Sequence, residues 1–345
     1  MNLDDLDRRL LDRIQRDFPI EPRPFETLAR ELDAEEADVL ARVRALHDAG
    51  LVRQIGPVFD LHRLGYTSTL CAAKIAPEAV DTAAARINAY PEVTHNYLRD
   101  AQFNMWFTLV APSQNRIDEI LKEIRRVGGI DEVLSLPAEN TFKINVHFRK
   151  TGTATPFSSS KGVAVPAFRN RDSHHLFSRT RQINGDCPHL DHLDDRDIAV
   201  IRALQDPLPL VERPYAELAE RAAVTEDELV ARIRAWLDSG LIRRFGARVK
   251  HRAIGYTANG MSVWDVAPDQ TEAAGNYMAS LPQVSHCYTR TRAENWPYNL
   301  YAMIHAQKEE EVLETVQQIA ARLNISNSKI LFSTRELKKS APKFF

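Results

Sequence analysis

The chain has 345 residues, a formal net charge of -2 and 44% hydrophobic residues, which are the proportions of an ordinary globular protein. The near-neutral charge provides no global field to attract nucleic acid or an anionic membrane, and we find no apolar run of membrane-helix length and no signal peptide. The cysteines Cys71, Cys187 and Cys287 form no pairing motif, so we expect a cytoplasmic protein.

The chain opens with a helical block. Leucine, isoleucine and valine recur at helical spacing from Leu3 to Leu46, and Gly50 follows as a helix stop signal. Three short helices with a turn before the third predict a winged helix-turn-helix domain over residues 1–62.

The next segment, residues 63–150, alternates strand and helix patterns. Four stretches read as strands and two as helices, in the order β-α-β-β-α-β. This order predicts a ferredoxin-like domain. The predicted strands are 68–75, 93–98, 103–110 and 134–148, and the predicted helices are 77–90 and 116–127.

The same organisation then returns. Arg23-Pro24-Phe25 reappears as Arg213-Pro214-Tyr215, and Gly65-Tyr66-Thr67 as Gly255-Tyr256-Thr257. We therefore predict an α+β fold made by tandem duplication, a covalently joined pseudo-dimer whose two diverged halves can build an asymmetric site. The second helix-turn-helix domain is expected at 193–252 and the second ferredoxin-like domain at 253–345. Between the halves, the Ser-, Pro-, Gly- and Arg-rich stretch 151–192 reads as a linker or extended arm.

One repeated signature carries polar side chains that a dry core does not accept. His95, Tyr97 and Arg99 alternate along a predicted strand and therefore share one face, and the second copy is His286, Tyr288 and Arg290. Imidazole, phenol and guanidinium all need polar partners. Since arginine binds carboxylates in two-pronged fashion, such a face suits a flat polyanionic ligand.

The helix-turn-helix followed by a β-α-β-β-α-β domain resembles the Lrp/AsnC regulators over each whole half. The His-x-Tyr-x-Arg signature, followed by 103–108 in the first half and 295–301 in the second, resembles more narrowly the sirohaem decarboxylases, which are Lrp-like enzymes of haem d1 and alternative haem synthesis. In that family two related subunits pair, and this chain resembles the naturally fused form. The resemblance implies loss of carbon dioxide from two acetate side chains of sirohaem, giving 12,18-didecarboxysirohaem.

The resemblance and the strand geometry together give candidate site residues. Histidine titrates near neutral pH, so we expect one or both of His95 and His286 to act as proton donors with Tyr97 and Tyr288 assisting, and either half can hold the competent site. Ligation of the substrate iron by His95 or His286 is an equal alternative. We expect the remaining candidates to bind substrate: Arg99, Arg290, Arg292, Arg248, Trp106, Trp296 and Tyr301.

Several functional alternatives remain open from the sequence. A transcription regulator with a small effector would share the fold, and a haem-binding sensor or carrier would share the site residues without turnover. Against DNA binding, residues 1–62 carry 9 arginines and no lysine against 14 acidic residues, and both predicted recognition helices begin with acidic residues. We expect no separate cofactor, no DNA and no membrane partner. Self-association through the sheets and hand-over to later tetrapyrrole enzymes are compatible with the sequence.

Overall fold

The computed structural model describes residues 3–144, 193–249 and 258–345. The predicted linker 151–192 lies outside these residues. Within the described ranges, no helix combines the length and the apolar character needed to cross a membrane.

Each half begins with three helices and a β-strand wing, as predicted. The first copy contains α1 (Asp5–Arg16), α2 (Pro24–Leu32), α3 (Glu36–Asp48) and β1 (Val52–Phe59). In α1, Asp4 and Asp7 form a reciprocal capping box, which satisfies amide groups that the first turn leaves unpaired. The second copy contains α6 (Asp195–Leu204), α7 (Pro214–Arg221), α8 (Glu226–Ser239) and β6 (Ile242–Val249).

The two helical domains form one unit. Their wings β1 and β6 pair as a two-stranded antiparallel sheet with Gly56 opposite Gly246. One hydrophobic core contains residues from all six helices and both wings. The guanidinium of Arg44 in α3 donates to the Leu210 carbonyl of the other half, and Arg234 in α8 donates to the Ile20 carbonyl in the same way. One arginine of each recognition helix is thus used for a contact between the two copies.

The β-α-β-β-α-β order is present in both halves. The first copy contains β2 (Thr67–Ile75), α4 (Val80–Asn88), β3 (Val93–Arg99), β4 (Met105–Ala111), α5 (Gln114–Ile124) and β5 (Ile130–Ile144), with a short 3-10 turn at Pro77–Ala79 before α4. The second copy contains β7 (Ala258–Trp264), α9 (Thr271–Ser280), β8 (Val284–Arg290), β9 (Leu300–Ala306), α10 (Glu309–Leu323) and β10 (Ser328–Lys339). The predicted duplicated Lrp/AsnC-like fold is confirmed.

Two long strands join the halves into one closed barrel. Strand β5 pairs with β2 as far as Pro137 and with β8 of the other half from Ala138 onward. Strand β10 pairs with β7 as far as Phe332 and then with β3 from Ser333. The resulting barrel has the order β10-β3-β4-β2-β5-β8-β9-β7. Sheet edges that we considered for self-association are therefore paired within the chain.

Strand alternation divides the barrel residues between two environments. Outward-facing residues of each half pack against that half's own helices, as Met105, Phe107 and Leu109 do with α5. Inward-facing residues of both halves meet in a separate cluster that contains Trp106, Trp296 and Tyr301. The barrel interior is therefore the place where the two halves can build a common site.

The last residues of the chain fasten the barrel to the helical unit. The Ser340 amide donates to the Thr94 carbonyl at 2.7 Å, which extends the β10–β3 pairing. Phe344 is then buried against Tyr66 and Phe59, with ring centroids 4.9 and 5.8 Å away. These contacts hold the wing sheet close to one end of the barrel.

Candidate active site

The two signatures line the inside of the barrel from opposite sides. Three strands separate β3 from β8 in either direction around the barrel, and the two strands run the same way. His95 and His286 therefore lie at one end of the barrel, and Arg99 and Arg290 lie deeper. The predicted shared face is present in both copies.

Within each signature the three side chains form a ladder. The rings of His95 and Tyr97 are 6.4 Å apart at 25°, and those of His286 and Tyr288 are 6.1 Å apart at 26°. The next step is a guanidinium near the phenol, with the Arg99 Cζ 5.7 Å from the Tyr97 ring. Although they lie inside the ring of strands, His95 and His286 are only partly buried, so each imidazole keeps some accessible surface.

A hydroxyl side chain orients each imidazole. The Nδ1 atom of His95 lies 3.0 Å from the Thr94 Oγ1, and the Nδ1 atom of His286 lies 2.8 Å from the Ser285 Oγ. Since Nδ1 is engaged in both rings, Nε2 is the nitrogen available to a bound ligand.

The deeper arginines are held by the opposite half. The Arg99 Nη1 donates to the Leu331 carbonyl at 2.6 Å, and the Arg290 Nη1 donates to the Leu136 carbonyl at 2.7 Å. Burial lowers the pKa of Arg99 to about 10 and also lowers that of Arg290. In both side chains Nε is buried without a hydrogen-bond partner. Each guanidinium thus helps to close the barrel through Nη1, and its buried Nε is a donor without a partner.

Aromatic side chains fill the barrel end opposite the histidines. We call Phe103, Trp106, Trp296, Tyr298 and Tyr301 the aromatic plug. The Trp106 and Trp296 rings lie 5.4 Å apart, and the Trp296 Nε1 donates to the Tyr301 hydroxyl at 2.8 Å. Trp106 is 1% exposed and Trp296 is 3% exposed. These tryptophans therefore form the floor below the signatures and present no open flat wall.

Basic residues surround the histidine end, which we call the barrel mouth and define by His95, His286, Lys339, Arg53 and Arg248. Lys339 is the strand partner of His95, so its side chain lies beside that imidazole. Arg53 and Arg248 reach the mouth from the wing sheet, where Arg248 also donates to the Pro57 carbonyl at 2.9 Å. The predicted Arg248 is thus brought to the signature, and Arg53 and Lys339 join it.

This environment disfavours protonation of both histidines. Burial, followed by the charges of Lys339 and His286, lowers the pKa of His95 to about 4. Burial, followed by the charges of Arg290 and Lys339, lowers the pKa of His286 to about 4. The mouth therefore contains two neutral imidazoles in a positive electrostatic potential. A bound polyanion would offset this potential and favour protonation of the imidazoles.

Arg292 is the one candidate that lies apart. Its guanidinium forms a 2.7 Å ion pair with Asp265 and donates to the Val266 and Pro297 carbonyls. These bonds fix the 291–299 loop to the end of β7, outside the barrel mouth.

The structure brings together the other ten of the eleven candidates. Seven lie at or beside the ladders, and three lie in the aromatic plug.

Three polar residues of this region were missed from the sequence. No sequence pattern indicated Lys339 or Arg53, because only the register of β10 and the docking of the wing place them near His95. A sequence pattern did indicate His305. It follows Tyr301 and Met303 on the inward face of a predicted strand, where an apolar residue is expected. Its Nε2 atom lies 2.8 Å from the Ser285 Oγ.

We also searched the described residues for a metal site or a cavity elsewhere in the molecule. Among the described residues, no group of three histidine, cysteine or acidic side chains is arranged to hold a metal ion. A cavity of about 240 Å³ lies in the helical unit, lined by His47, Gln54, Leu208 and Arg221 among others, away from the barrel. The barrel mouth is therefore the candidate active site.

Comparison with known proteins agrees with this architecture. The profile of the "AsnC-like ligand binding domain" matches residues 63–143 and 253–338, and that of the "Siroheme decarboxylase NirDL-like HTH domain" matches 7–53 and 197–243. A siroheme decarboxylase of Hydrogenobacter thermophilus is 34% identical over 338 residues, which cover 98% of this chain and 94% of that protein. The chain therefore belongs to the siroheme decarboxylase family.

Two further similarities bear on the duplication and the ligand. A siroheme decarboxylase alpha subunit of Desulfovibrio desulfuricans is 45% identical over 148 residues, 43% of this chain and 85% of that subunit. The crystal structure of siroheme decarboxylase NirDL in complex with an iron-uroporphyrin III analogue has a TM-score of 0.69 and 30% identity, and the match covers 99% of this chain and 94% of that one. Relatives thus exist both as separate subunits and as one fused chain.

Proposed function

Since the chain belongs to the sirohaem decarboxylase family, we propose that it removes carbon dioxide from two acetate side chains of sirohaem, giving 12,18-didecarboxysirohaem at the barrel mouth. One observation carries this proposal: His95 and His286 lie at the same end of the barrel. Lys339, Arg53 and Arg248 lie at that end too. Sirohaem is a flat macrocycle with eight carboxylates, and this arrangement provides cationic donors around two proton-transfer groups.

The ladders assign different tasks to their members. Cationic groups at the mouth and the free Nε donors of Arg99 and Arg290 bind carboxylates and fix the macrocycle. Burial raises the pKa of Tyr288, so its phenol stays protonated and assists by hydrogen bonding, and we assign the same task to Tyr97. The aromatic plug keeps water from entering at the far end.

Each decarboxylation breaks one carbon–carbon bond and forms one carbon–hydrogen bond. The electron pair of the broken bond stays on the former methylene carbon, where the conjugated macrocycle delocalises it, and carbon dioxide leaves. A proton from a histidine Nε2 then completes the methyl group. The net change is one acetate plus one proton to one methyl group plus carbon dioxide, so the reaction needs no separate cofactor.

Binding of the substrate supplies the acid form that this step needs. Eight carboxylates brought next to His95 and His286 favour the imidazolium, against the burial and positive charges that keep both rings neutral beforehand. A neutral Nε2 is also what ligation of the substrate iron requires. Acid and axial-ligand roles are therefore distinguished by whether protons are taken up when the macrocycle binds.

The test is an anaerobic incubation of the purified chain with sirohaem, followed by chromatography with mass detection. We expect loss of two carbon dioxide units, and loss of this activity in His95→Ala or His286→Ala. Tight binding with unchanged mass in the wild-type protein would instead identify a carrier. Absence of binding would overturn the proposal.

The proposed partners follow from the same site. We propose that the chain binds sirohaem, does not bind DNA, and releases its product to later enzymes of haem d1 or alternative haem synthesis. DNA binding is disfavoured because the first turns of α3 and α8 carry acidic residues and their arginines are engaged within the protein.

A further inference from the structure

A hydrogen-bonded chain of three residues leads away from one of the two signature histidines. The His286 Nδ1 lies 2.8 Å from the Ser285 Oγ, and the same oxygen lies 2.8 Å from the His305 Nε2. Ser285 is 5% exposed and His305 is 7% exposed. Two imidazoles are thus connected through one hydroxyl, behind the barrel mouth.

The local backbone explains this arrangement. In the β8–β9 pair, Val284 lies opposite Ile304 and His286 opposite Met303, so Ser285 is the extra residue of a β-bulge. His305 lies on the inward face of β9, two residues beyond Met303. The bulge allows Ser285 to contact His286 and His305 together, which a regular strand would not permit.

The first half lacks this chain. Its β3–β4 pair has the same bulge, with Thr94 as the extra residue 3.0 Å from the His95 Nδ1 and Thr108 as the strand partner of His95. Two residues beyond Thr108 is Val110, which takes the place of His305. Within the described residues, the first half therefore has the hydroxyl and no second imidazole at this place.

We propose that Ser285 and His305 are positioning residues that relay a proton to His286, so that the two signature histidines are not equivalent. His286 is the acid whose proton is replaced from within the protein, whereas the described surroundings of His95 have Val110 in the place of His305. This inference rests on the proposed decarboxylation and goes further by assigning different behaviour to the two halves.

The relay starts with the one proton that substrate binding adds to this hydrogen-bonded chain resting on His305, while His286 is neutral with its proton on Nε2. His286 gives its Nε2 proton to the former methylene carbon and receives the Ser285 hydroxyl proton on Nδ1. Ser285 in turn receives the Nε2 proton of His305. His305 ends neutral with its proton on Nδ1, Ser285 is again a hydroxyl, and one proton has moved to carbon.

The chain itself supplies matched variants, because residues of the first half are already accommodated in this fold. His305→Val copies Val110, Ser285→Thr copies Thr94, and Ser285→Ala removes the hydroxyl. We expect His305→Val and Ser285→Ala each to slow single-turnover decarboxylation by about tenfold or more, since a positioned acid contributes roughly 10²–10⁴. Ser285→Thr should retain the rate, and the dissociation constant for iron-uroporphyrin should stay within about twofold of wild type.

Coupling between the two positions distinguishes a relay from separate structural roles. The double variant Ser285→Ala with His305→Val should be no slower than the slower single variant, because both changes interrupt one path. The matched change Thr94→Ala should slow turnover less than Ser285→Ala. Additive losses, an unchanged rate in His305→Val, or a loss that appears only as weaker binding would each overturn the proposal.

A measurement without turnover separates failure of the relay from failure of the proposed function. Histidine-selective ¹⁵N NMR of the complex with metal-free uroporphyrin should show that Ser285→Ala shifts the His286 and His305 resonances together, while His95 stays unchanged. Independent behaviour of the two resonances would refute the relay even in an active enzyme. Coupled resonances in a chain that releases no carbon dioxide would refute the decarboxylation alone.

Discussion

Arg99 and Leu331 are joined across the two halves, with the Arg99 Nη1 donating to the Leu331 carbonyl at 2.6 Å. Arg290 and Leu136 form the corresponding bond at 2.7 Å. The deepest member of each signature thus fastens its strand to the long strand that crosses between the halves. The same side chains that belong to the signatures also close the barrel.

This double use predicts a loss of stability in Arg99→Met. The Leu331 carbonyl would lose a charge-assisted bond inside the barrel, so we expect the free energy of unfolding to fall by about 2–3 kcal/mol. Urea denaturation measures the change. Arg335→Met is the control, because its exposed ion pair with Asp81 is worth about 1 kcal/mol or less. Equal effects of the two substitutions would contradict the assigned role of Arg99.

The lowered histidine pKa values predict how stability depends on pH. His95 and His286 have pKa values of about 4 in the folded chain, against 6.5 when free, chiefly because of burial. Between these values the unfolded chain binds more protons than the folded one. Stability of the ligand-free protein therefore falls as the pH is lowered from about 6.5 toward 4, and His286→Gln should flatten this dependence in thermal unfolding.

Ligand binding at about pH 6 is expected to take up protons, because the carboxylates raise both pKa values. Calorimetric titration with iron-uroporphyrin in buffers of different ionisation enthalpy measures this uptake. His95→Gln and His286→Gln should each remove up to about one proton. A heat that does not depend on the buffer would favour the axial-ligand role over the acid role.

Two adjacent lysines allow a controlled test of the barrel mouth. Lys339 lies beside His95, whereas the Lys338 Nζ donates to the Asn88 and Tyr90 carbonyls at the end of α4. Lys339→Met should weaken iron-uroporphyrin binding about tenfold. Lys338→Met should instead lower stability and leave binding unchanged. The reverse pattern would place the ligand elsewhere.

The helical unit is predicted not to bind DNA. Arg42 is engaged by Asp4, Asp7 and Asp38, and Arg232 pairs with Asp197 at the equivalent position. Fluorescence anisotropy with labelled duplexes at low salt, about 20 mM, should detect no binding up to about 10 µM protein. Proteins that bind DNA non-specifically have dissociation constants of about 1–100 µM at physiological salt and bind more tightly at low salt. Binding that weakens steeply with added salt would restore a regulatory function.

Local sequence patterns determined much of this protein. Strand alternation placed His95, Tyr97 and Arg99 on one face, because side-chain direction along a strand depends only on the strand itself. The repeat established two like halves, and apolar spacing with Gly50 as a stop signal placed the helices. These conclusions needed no knowledge of which segments are neighbours in space.

Only the tertiary structure decided how the halves combine. The crossing of β10 to β3 puts Lys339 beside His95, and the crossing of β5 to β8 puts Ile144 beside His286. The bulge at Ser285 then gives His286 a second imidazole. Strand partners and registers depend on pairing that alternation alone does not encode. The contact of Lys339 with His95 arises when the barrel closes, whereas the connection of His286 to His305 arises from the register of β8 and β9.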